Sequence, residues 1–449
     1  MKKVLFIVDH KHRDLAASSL IGYYLKEDGY SVAYCATWRE SKIVKEFSPD
    51  IIVLPKPIYK NHIFADWKIR GIKVAINDVE GNLQQKEFGF LKPKIFPDLY
   101  FYWNKIFYEQ QGEFFTNEQS GYTGSTPKMV LAGCPRIDFL HPKFHLVNKP
   151  KKELVKELDV PKNKKIITIA TAGSSADLSD EDLKKVQINL NSRNSNPPDA
   201  FLEASVYREL REITVGIIKE TLKTLPDYHI VLKPHPNEVP TFWESLVKNY
   251  KLKNVTIMKS GTINDLLNLS DLHMAHNVCT STFEAMIKRV PAIEMQTNRS
   301  SKLFSQKDLD LPLFPIFSSE QALEAIKKIE SSREEVIEEG FKIAEDFCLN
   351  WYGNFDGQRC REYAENIKEL HDQKIEINHL SKIKIYFKFI VGYHISSFVK
   401  KVKRITPKNI IDKLAGKRER DWTDERHDKT IEPGDEIFWF KKFNKILNE

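Results

Sequence analysis

The chain of 449 residues has few cysteines and no long apolar run. Its five cysteines are scattered and form no C-x-x-C pair, so we expect a reducing cytoplasm and neither a disulfide framework nor a zinc site. No uninterrupted apolar stretch approaches the roughly 18 residues that a membrane-spanning helix needs. The apolar part of the opening MKKVLFIVDH is shorter than a signal-peptide core and predicts a first strand instead.

Glycine-rich phosphate loops and acidic metal motifs are also missing. The Gly/Ser segment TAGSSAD (171–177) lacks both the G-x-G-x-x-G and the GKS pattern, so it is a weak phosphate signal. D-x-D spacings occur at 180–182 and 308–310, but neither directly follows an apolar strand-like run. We therefore expect no metal and no cofactor.

Acidic residues are scarce in one region near the carboxyl terminus. Residues 373–420 contain 13 lysines or arginines and three acidic residues, a local balance of +10, whereas the whole chain carries +7. The other residues are therefore close to neutral together. The sequence indicates a near-neutral globular body with a basic tail.

Short apolar runs alternate with segments of helical spacing through most of the chain. Such runs are typical of parallel strands that are covered by helices on both faces, and 449 residues exceed one ordinary core. The pattern predicts an α/β protein with two Rossmann-like domains that face each other across a cleft. The expected strands lie in KVLFIVD, GYSVAYCA, DIIVLPK, IKVAIND, LYFYW, KMVLAG, KKIITIATAG, HIVLKPHP, NVTIMKS, DLHMAHN and PAIEM.

We place the first Rossmann-like domain at residues 1–147, the second at 148–371 and a basic amphipathic tail at 372–449. The segment HPKFHLVNKPKK is expected to link the two domains. Ligands of open α/β sheets bind where strands end in loops. The candidate site residues are therefore those that directly follow the apolar runs.

The stretch HIVLKPHPNE ends a buried strand in two prolines with a histidine between them. Pro234 and Pro236 fix φ and remove backbone donors, so the loop is stiff. His235 is then positioned to donate to an oxyanion such as a nucleotide phosphate, with the charge of Lys233 beside it. The alternative is a rigid turn with a solvent-facing histidine.

The stretch HNVCTSTFEA passes from a strand into a helix with hydroxyl residues at its start. Ser281 and Thr282 at a helix start, with free backbone N–H groups, are suited to a phosphate. Glu284, expected in the first turn, is suited to accept from ribose hydroxyls. The alternative is that Ser281 and Glu284 form an S-x-x-E capping box and bind no ligand.

Charged residues follow three further strand-like runs. In VAINDVEGN, Asp78 and Glu80 can supply a nucleophile or base, or they can simply form a turn. In FIVDHKHRDL, Arg13 near His10 can clamp a sugar carboxylate, or the segment is a solvated first turn. AGCPRID contributes Arg136 to a cluster of the same kind.

In this order, KHRDL, INDVEGN, LYFYWNKI, AGCPRID, KPHPNE and CTSTFEA resemble the bacterial surface-carbohydrate glycosyltransferases of the GT-B fold. These are similar to the β-Kdo transferases of capsule and lipopolysaccharide synthesis, and more remotely to sialyltransferases and CDP-glycerol glycerophosphotransferases. The resemblance spans about residues 1–370. It implies a metal-independent transfer of a Kdo-like or nonulosonic sugar from CMP, bound by the second domain, to a surface glycan or glycolipid bound by the first.

The resemblance also implies a role for each matching residue. Glu80 falls on the family's catalytic carboxylate, but the capsule enzymes have Asp-Gly where this chain has Glu80 and Gly81. Nucleophile or base therefore stays open, and Asp78 is the alternative. The other implied roles are donor-nucleotide binding by Lys233, His235, Pro236, Ser281, Thr282 and Glu284, and substrate binding by His10, Arg13 and Arg136.

The segment 379–405 mixes aromatic and aliphatic residues with lysines and contains no acidic residue. It suits an amphipathic element on an anionic membrane, and the alternative is a helix pair packed on the body. We expect a cytoplasmic enzyme, peripheral at the inner face of the bacterial inner membrane. No nucleic-acid partner is expected, because no reader motif accompanies the basic charge.

Two other functions fit the same residues. A transferase or epimerase that uses CDP-glycerol or a UDP-sugar would share the fold and the His-Pro motif. A non-catalytic, membrane-associated scaffold with an inactive transferase body would share the fold alone.

Overall fold

The computed structural model describes most of the chain. Glu80 and Pro236 lie outside the described residues, so the roles that the motifs give them stay predictions. The described residues are 2–56, 60–79, 95–109, 127–191, 199–235, 238, 240–277, 279–300, 314–374, 379–395, 397 and 430–448.

The chain folds into two compact units, each built on a six-stranded parallel sheet. Unit 1 takes in the described residues up to Asp138 and those from Gln358 onward, and unit 2 runs from Phe139 to Gly357. The predicted α/β class with two Rossmann-like sheets is confirmed. The sequence-based domain limits at 147 and 371 stay predictions, while the compact units divide at Asp138 and Gly357.

The sheet of unit 1 consists of β1 (Lys3–Val8), β2 (Ser31–Ala36), β3 (Ile51–Leu54), β4 (Lys73–Asn77), β5 (Leu99–Tyr102) and β6 (Lys128–Leu131). Its order is β2-β1-β3-β4-β5-β6, and all neighbours are parallel. The inner strands are continuous apolar runs because both of their faces are buried. All six carboxyl ends therefore meet at one edge.

Helices cover both faces of this sheet. Right-handed crossovers place helix Lys11–Glu27 on the face opposite to helices Glu40–Phe47 and Asn61–Ile69, because the strand order reverses after β2. Helix Arg359–Asp372 packs against Lys11–Glu27 and belongs to unit 1. Its carboxyl end is held by Lys73, whose Nζ donates to carbonyl oxygens of that end, including Leu370 at 2.8 Å.

The sheet of unit 2 consists of β7 (Lys165–Ala170), β8 (Tyr228–Lys233), β9 (Val255–Ile257), β10 (Leu272–His276), β11 (Ala292–Met295) and β12 (Pro315–Ile316). Its order is β12-β11-β10-β7-β8-β9, again parallel throughout. The two-residue strand β12 was not expected from the sequence. Helices of this unit are Lys151–Glu157, Asp180–Asn191, Ala200–Thr224, Thr241–Asn249, Ile263–Leu269, Thr280–Ile287, Ser319–Ser331 and Arg333–Trp351.

Local sequence explains where these helices begin. Asp199 caps helix Ala200–Thr224 by accepting from the N–H groups of Phe201 and Leu202, and the apolar stripe of this helix is buried in the core of the unit. The segment HPKFHLVNKPKK, expected to be a linker, instead forms a 3₁₀ helix at Pro142–Val147 and enters the next helix.

The described parts of the basic tail pack on unit 1. Helix His379–Ile385 continues into a π-helical turn at Tyr386–Val391, and its Ile385 and the turn's Phe389 are buried in the core beside helix Asn61–Ile69. Helix Pro433–Asn448 packs against Lys11–Glu27 on the opposite face of the sheet. Among the helices that the structure describes, none has the length and apolar character required to traverse a bilayer.

Candidate functional site

The loop after β8 folds around a buried carboxylate. Lys233 ends the strand, and His235 is exposed. Glu238 points into the protein, and its exposed fraction is only 5%. The Glu238 carboxylate accepts from the His235 N–H (3.3 Å), the indole N–H of Trp243 (3.0 Å) and the Thr171 hydroxyl. The Glu238 N–H in turn donates to the His235 carbonyl at 2.8 Å. Glu238 therefore fixes the backbone of His235 while the histidine stays at the surface.

The Gly/Ser loop after β7 packs against the same carboxylate. Arg211 donates to both oxygens of Asp177, at 2.6 and 2.9 Å, and its Nη2 lies 3.5 Å from Glu238 Oε1. A Cβ atom at Gly173 would lie 2.9 Å from the same oxygen, so the close approach requires glycine. The glycine of TAGSSAD thus has a packing reason that is independent of any phosphate.

A neutral histidine joins the loop after β7 to the end of β10. Burial lowers the pKa of His276 to about 4, so its ring is uncharged near neutral pH. Its Nδ1 accepts from the Ala172 N–H at 3.0 Å, and its Nε2 lies 2.8 Å from Thr214 Oγ1, to which it donates. His276 and Glu238 together tie the ends of three adjacent strands to one another.

The helix that starts at Thr280 has no side-chain cap from its N-cap residue, Cys279. Ser281 is buried, and its hydroxyl lies 2.9 Å from His273 Nε2 and donates to Cys279 Sγ at 3.1 Å. The capping-box alternative is therefore wrong, because the Ser281 hydroxyl is used inside the core. Glu284 is the fifth helical residue and not part of the first turn. A ligand at this helix start meets backbone N–H groups rather than the Ser281 hydroxyl.

At the carboxyl edge of the other sheet, in unit 1, four charges form mutual ion pairs. Arg13 Nε and Nη2 donate to the two oxygens of Asp14 at 2.7 and 3.0 Å, and Nη2 also lies 3.1 Å from Asp9. Lys56 Nζ lies 3.2 Å from the same oxygen of Asp9. The Nε–Nη2 edge of Arg13, one of the two guanidinium edges that can hold a carboxylate with two hydrogen bonds, is thus bound to Asp14. Arg13 therefore has structural partners in Asp14 and Asp9, and its role as a clamp for a sugar carboxylate stays a prediction.

His10 and Asp78 lie at the same edge of the sheet of unit 1. The backbone N–H of His10 donates to Asp14 Oδ2 at 3.1 Å, and the His10 ring is partly buried beside that of His12. Asp78 directly follows β4, is buried, and accepts from the Tyr100 hydroxyl at 3.2 Å. Of the two candidate catalytic carboxylates, only Asp78 is described.

The segment AGCPRID is built into the packing of unit 1. The Arg136 guanidinium lies 5.3 Å from the centre of the Trp103 ring. Asp138 is fully buried and accepts from the N–H groups of Arg359 (3.0 Å) and Cys360 (2.7 Å), which caps the helix that starts there. Burial raises the pKa of Asp138 to about 6, and the two N–H donors oppose that shift.

The structure thus brings the predicted residues of unit 2 to one edge of one sheet. Lys233 is the last residue of β8 and His235 follows it, Ser281 and Thr282 follow β10, and β7 lies between those strands. Sequence reasoning missed the supporting residues Glu238, Arg211, His273 and His276. Glu238 stands three residues after His235, but a buried acceptor is not distinguishable from a surface glutamate in the sequence. No cluster of three or more His, Cys, Asp or Glu side chains suited to a metal occurs within the described part of the chain.

Comparison with known proteins gives similarity of fold alone. No family model and no curated protein matches the sequence. The fold is similar to UDP-GlcNAc 2-epimerase from Neisseria meningitidis (12% identity, 82% of this chain and 100% of that one, TM-score 0.50) and to a UDP-N-acetylglucosamine 2-epimerase from Listeria monocytogenes (12%, 83% and 98%, 0.52). It is also similar to the wall teichoic acid polymerase TagF (12%, 84% and 89%, 0.51). These similarities confirm the predicted GT-B-like fold.

Proposed function

We propose that the protein is a glycosyltransferase that binds a nucleotide-activated sugar at the carboxyl edge of the sheet of unit 2. The observation that carries the proposal is the helix start at Thr280, which lacks a side-chain cap and lies at the same sheet edge as the fixed loop of His235. Backbone N–H groups and the helix dipole at such a start favour a phosphate. The fold supports the proposal, since one similar structure holds UDP-GlcNAc and another was soaked with CDPG.

The sequence motifs favour a CMP-activated Kdo-like or nonulosonic sugar as the donor and a bacterial surface glycan as the acceptor. Departure of CMP builds negative charge on its phosphate, and Lys233, His235 and the helix start would stabilise that charge. Asp78 or Glu80, the carboxylates that the motifs offer, would attack the anomeric carbon or deprotonate the acceptor hydroxyl. The first course retains the configuration at that carbon and the second inverts it.

A transferase or epimerase that uses CDP-glycerol or a UDP-sugar is the second candidate. The similar folds favour it, because they include epimerases named for UDP-GlcNAc and the polymerase TagF. A nucleoside diphosphate presents one more phosphate to the same helix start than CMP does. The two candidates therefore differ in which nucleotide the protein binds more tightly.

Nucleotide binding tests the proposal directly. Thermal unfolding in the presence of CMP, CDP and UDP should show stabilisation by at least one of them, with CMP strongest if the CMP-sugar assignment holds. The variant His235→Ala should weaken that nucleotide's affinity at least tenfold, while His145→Ala, a change at another exposed histidine of unit 2, should not.

The outcomes separate the alternatives. CDP or UDP binding more tightly than CMP would move the assignment to the second candidate. If none of the three nucleotides raises the unfolding temperature, the transferase proposal fails and the non-catalytic scaffold gains support. Hydrolysis of CMP-Kdo at the buffer rate by a protein that does bind CMP would exclude that donor.

We further propose that unit 1 docks on an anionic membrane through residues 379–395. Ile385 and Phe389 anchor this element in the core, while Tyr386 and Phe387 are exposed by 47% and 63%. The exposed face also carries lysines and the element has no acidic residue, so it complements anionic lipid, with about 1 kcal/mol for each lysine near the surface. The lysines concerned are Lys382, Lys384 and Lys388.

Sedimentation with vesicles tests this surface. The protein should bind vesicles that contain phosphatidylglycerol and not vesicles of phosphatidylcholine alone. Phe387→Ser should reduce the bound fraction severalfold, whereas Phe438→Ser, on the helix that packs on the opposite face of the sheet, should not. Equal binding to both kinds of vesicle, or an undiminished Phe387→Ser variant, would contradict the assignment.

A further inference from the structure

Asn277, which directly follows β10, has a backbone conformation that residues with a side chain seldom adopt. Its φ is +20°, and the conformation is held because its N–H donates to the Met295 carbonyl at 2.9 Å. Asparagine tolerates positive φ better than most residues, but glycine would do so without strain. Strained residues of this kind concentrate at ligand sites, so the retention of a side chain here calls for a reason.

The carboxamide of Asn277 is only half satisfied. The residue is 8% exposed, and its Oδ1 accepts from Ser300 Oγ at 2.7 Å. Its Nδ2 has no hydrogen-bond partner among the described residues. Since buried amide groups are nearly always paired, an unpaired donor at this position points to a partner that belongs to a ligand.

A second unpaired group lies in the first turn of the adjacent helix. The Thr282 hydroxyl is fully buried and forms no hydrogen bond with a described residue. Cys279, between Asn277 and this turn, provides no side-chain cap. Asn277 therefore has an unused amide donor and stands three positions before an uncapped helix start at Thr280, and an anion with several acceptor oxygens can satisfy both.

We propose that Asn277 Nδ2 donates to a phosphate oxygen of the bound nucleotide at the start of helix Thr280–Ile287. The assignment rests on the proposed function, which places a nucleoside phosphate at this helix. The Ser300 contact engages the carbonyl oxygen of the carboxamide and leaves the amide group as the unused donor. Asn277 is then a binding residue whose strained backbone presents the amide to the ligand.

Two substitutions distinguish a ligand role from a structural one. Asn277→Gly removes the amide, and it relieves the positive φ while it deprives the Ser300 hydroxyl of its acceptor. These two effects on stability oppose each other, so the unfolding temperature should change little while nucleotide affinity falls about tenfold. Asn277→Asp keeps an acceptor for Ser300 but places an anion beside the phosphate, so affinity should fall about a hundredfold, most steeply at low salt. The ligand in both titrations is whichever of CMP, CDP or UDP stabilises the unaltered protein.

Lys251→Gly is the matched control, because Lys251 has a φ of +50° on the exposed surface of the same unit. It should leave nucleotide affinity unchanged. Unaltered affinity in Asn277→Gly, or a loss accompanied by an equal loss of stability, would overturn the inference while the proposed function stands. Failure of the unaltered protein to bind any of the three nucleotides would overturn both together.

Discussion

The carboxyl edges of the two sheets differ in how their candidate anion-binding groups are paired. In unit 1, Asp9, Arg13, Asp14 and Lys56 neutralise one another in ion pairs between 2.7 and 3.2 Å. In unit 2, by contrast, the Asn277 amide is left without a partner in the described structure. An added anion would have to displace existing ion pairs in unit 1, whereas in unit 2 it would accept from the unpaired Nδ2 of Asn277. The motif that contains Arg13 is thus the weaker candidate for an anion site, although its sequence is more basic than that around Asn277.

Burial shifts the pKa of two histidines of unit 2 and of one carboxyl group of unit 1 in opposite directions. In unit 2 it lowers the pKa of His273 to about 3 and that of His276 to about 4, so both rings are neutral connectors. In unit 1 it raises the pKa of Asp138 to about 6. The cause is the same, because a poorly solvated site disfavours the charged form of either group. The consequence for stability differs, because acid destabilises the fold around the buried histidines and stabilises it around the buried carboxyl group.

Acidification from pH 7 to pH 5 should produce the largest effect. The folded pKa values of His273 and His276 lie below the ordinary 6.5, so the unfolded chain takes up protons first and unit 2 loses on the order of 4 kcal/mol of unfolding free energy. The folded pKa of Asp138 lies above the ordinary 3.8. Its contribution to the unfolding free energy is therefore fully present below pH 3.8 and is lost as the pH rises through about 6. Acid therefore adds about 1 kcal/mol to unit 1.

Hydrogen exchange resolved by peptide, corrected for the intrinsic pH dependence, measures the two units separately. Strands β7 and β10 should lose protection at pH 5 while β1 and β4 keep theirs. His273→Gln should be less stable at pH 7 but show a smaller change between the two pH values. Equal loss of protection in both units would remove the electrostatic contrast between them.

The fold was predictable from the sequence because its strands are buried on both faces. Runs such as KVLFIVD and KKIITIATAG carry charged residues only at their ends and do not alternate between apolar and charged positions, and the structure has strands there. The return of helix Arg359–Asp372 to unit 1 was not predictable. It depends on the contacts of Asp138 and Lys73 with residues more than 200 positions away, which no local pattern encodes.

The candidate site was predictable only in its position. Strand ends correctly located Lys233 and the helix start at Thr280, because parallel strands end at a common edge. The direction of each side chain was not predictable. Ser281 turns into the core toward His273, and Arg13 turns to Asp14, although both read from the sequence as ligand-binding residues. Which partner a polar group finds is decided by tertiary packing, so Glu238 and Asn277 were found only in the structure.

Glu238→Gln should have the next largest effect and sharpens the contrast within unit 2. The NH2 group of the new glutamine would face a hydrogen-bond donor of Thr171, Trp243 or Arg211, and that donor would lose its acceptor. A buried donor left unpaired should lower the unfolding free energy by about 2–3 kcal/mol. Denaturant unfolding measures the loss. In the control Glu244→Gln, the exposed ion pair with Lys259 is removed, and the change should stay within about 0.5 kcal/mol. Equal losses in the two variants would mean that Glu238 does not hold the loops together.

Asp14→Asn should have the smallest effect, and it tests whether the charged cluster of unit 1 is structural. Asparagine keeps one acceptor for the His10 N–H or for Arg13, and Arg13 retains Asp9, so the loss of unfolding free energy should be about 1–2 kcal/mol. Nucleotide affinity, measured by calorimetric titration, should stay within about twofold, because Asp9 still pairs with Arg13 after the Asp14 carboxylate is lost. The result would then be the reverse of that expected for Asn277→Gly, which should lose affinity and keep stability. A loss of nucleotide affinity in Asp14→Asn without a loss of stability would instead make the charged cluster around Arg13 an anion site whose ion pairs open for the ligand.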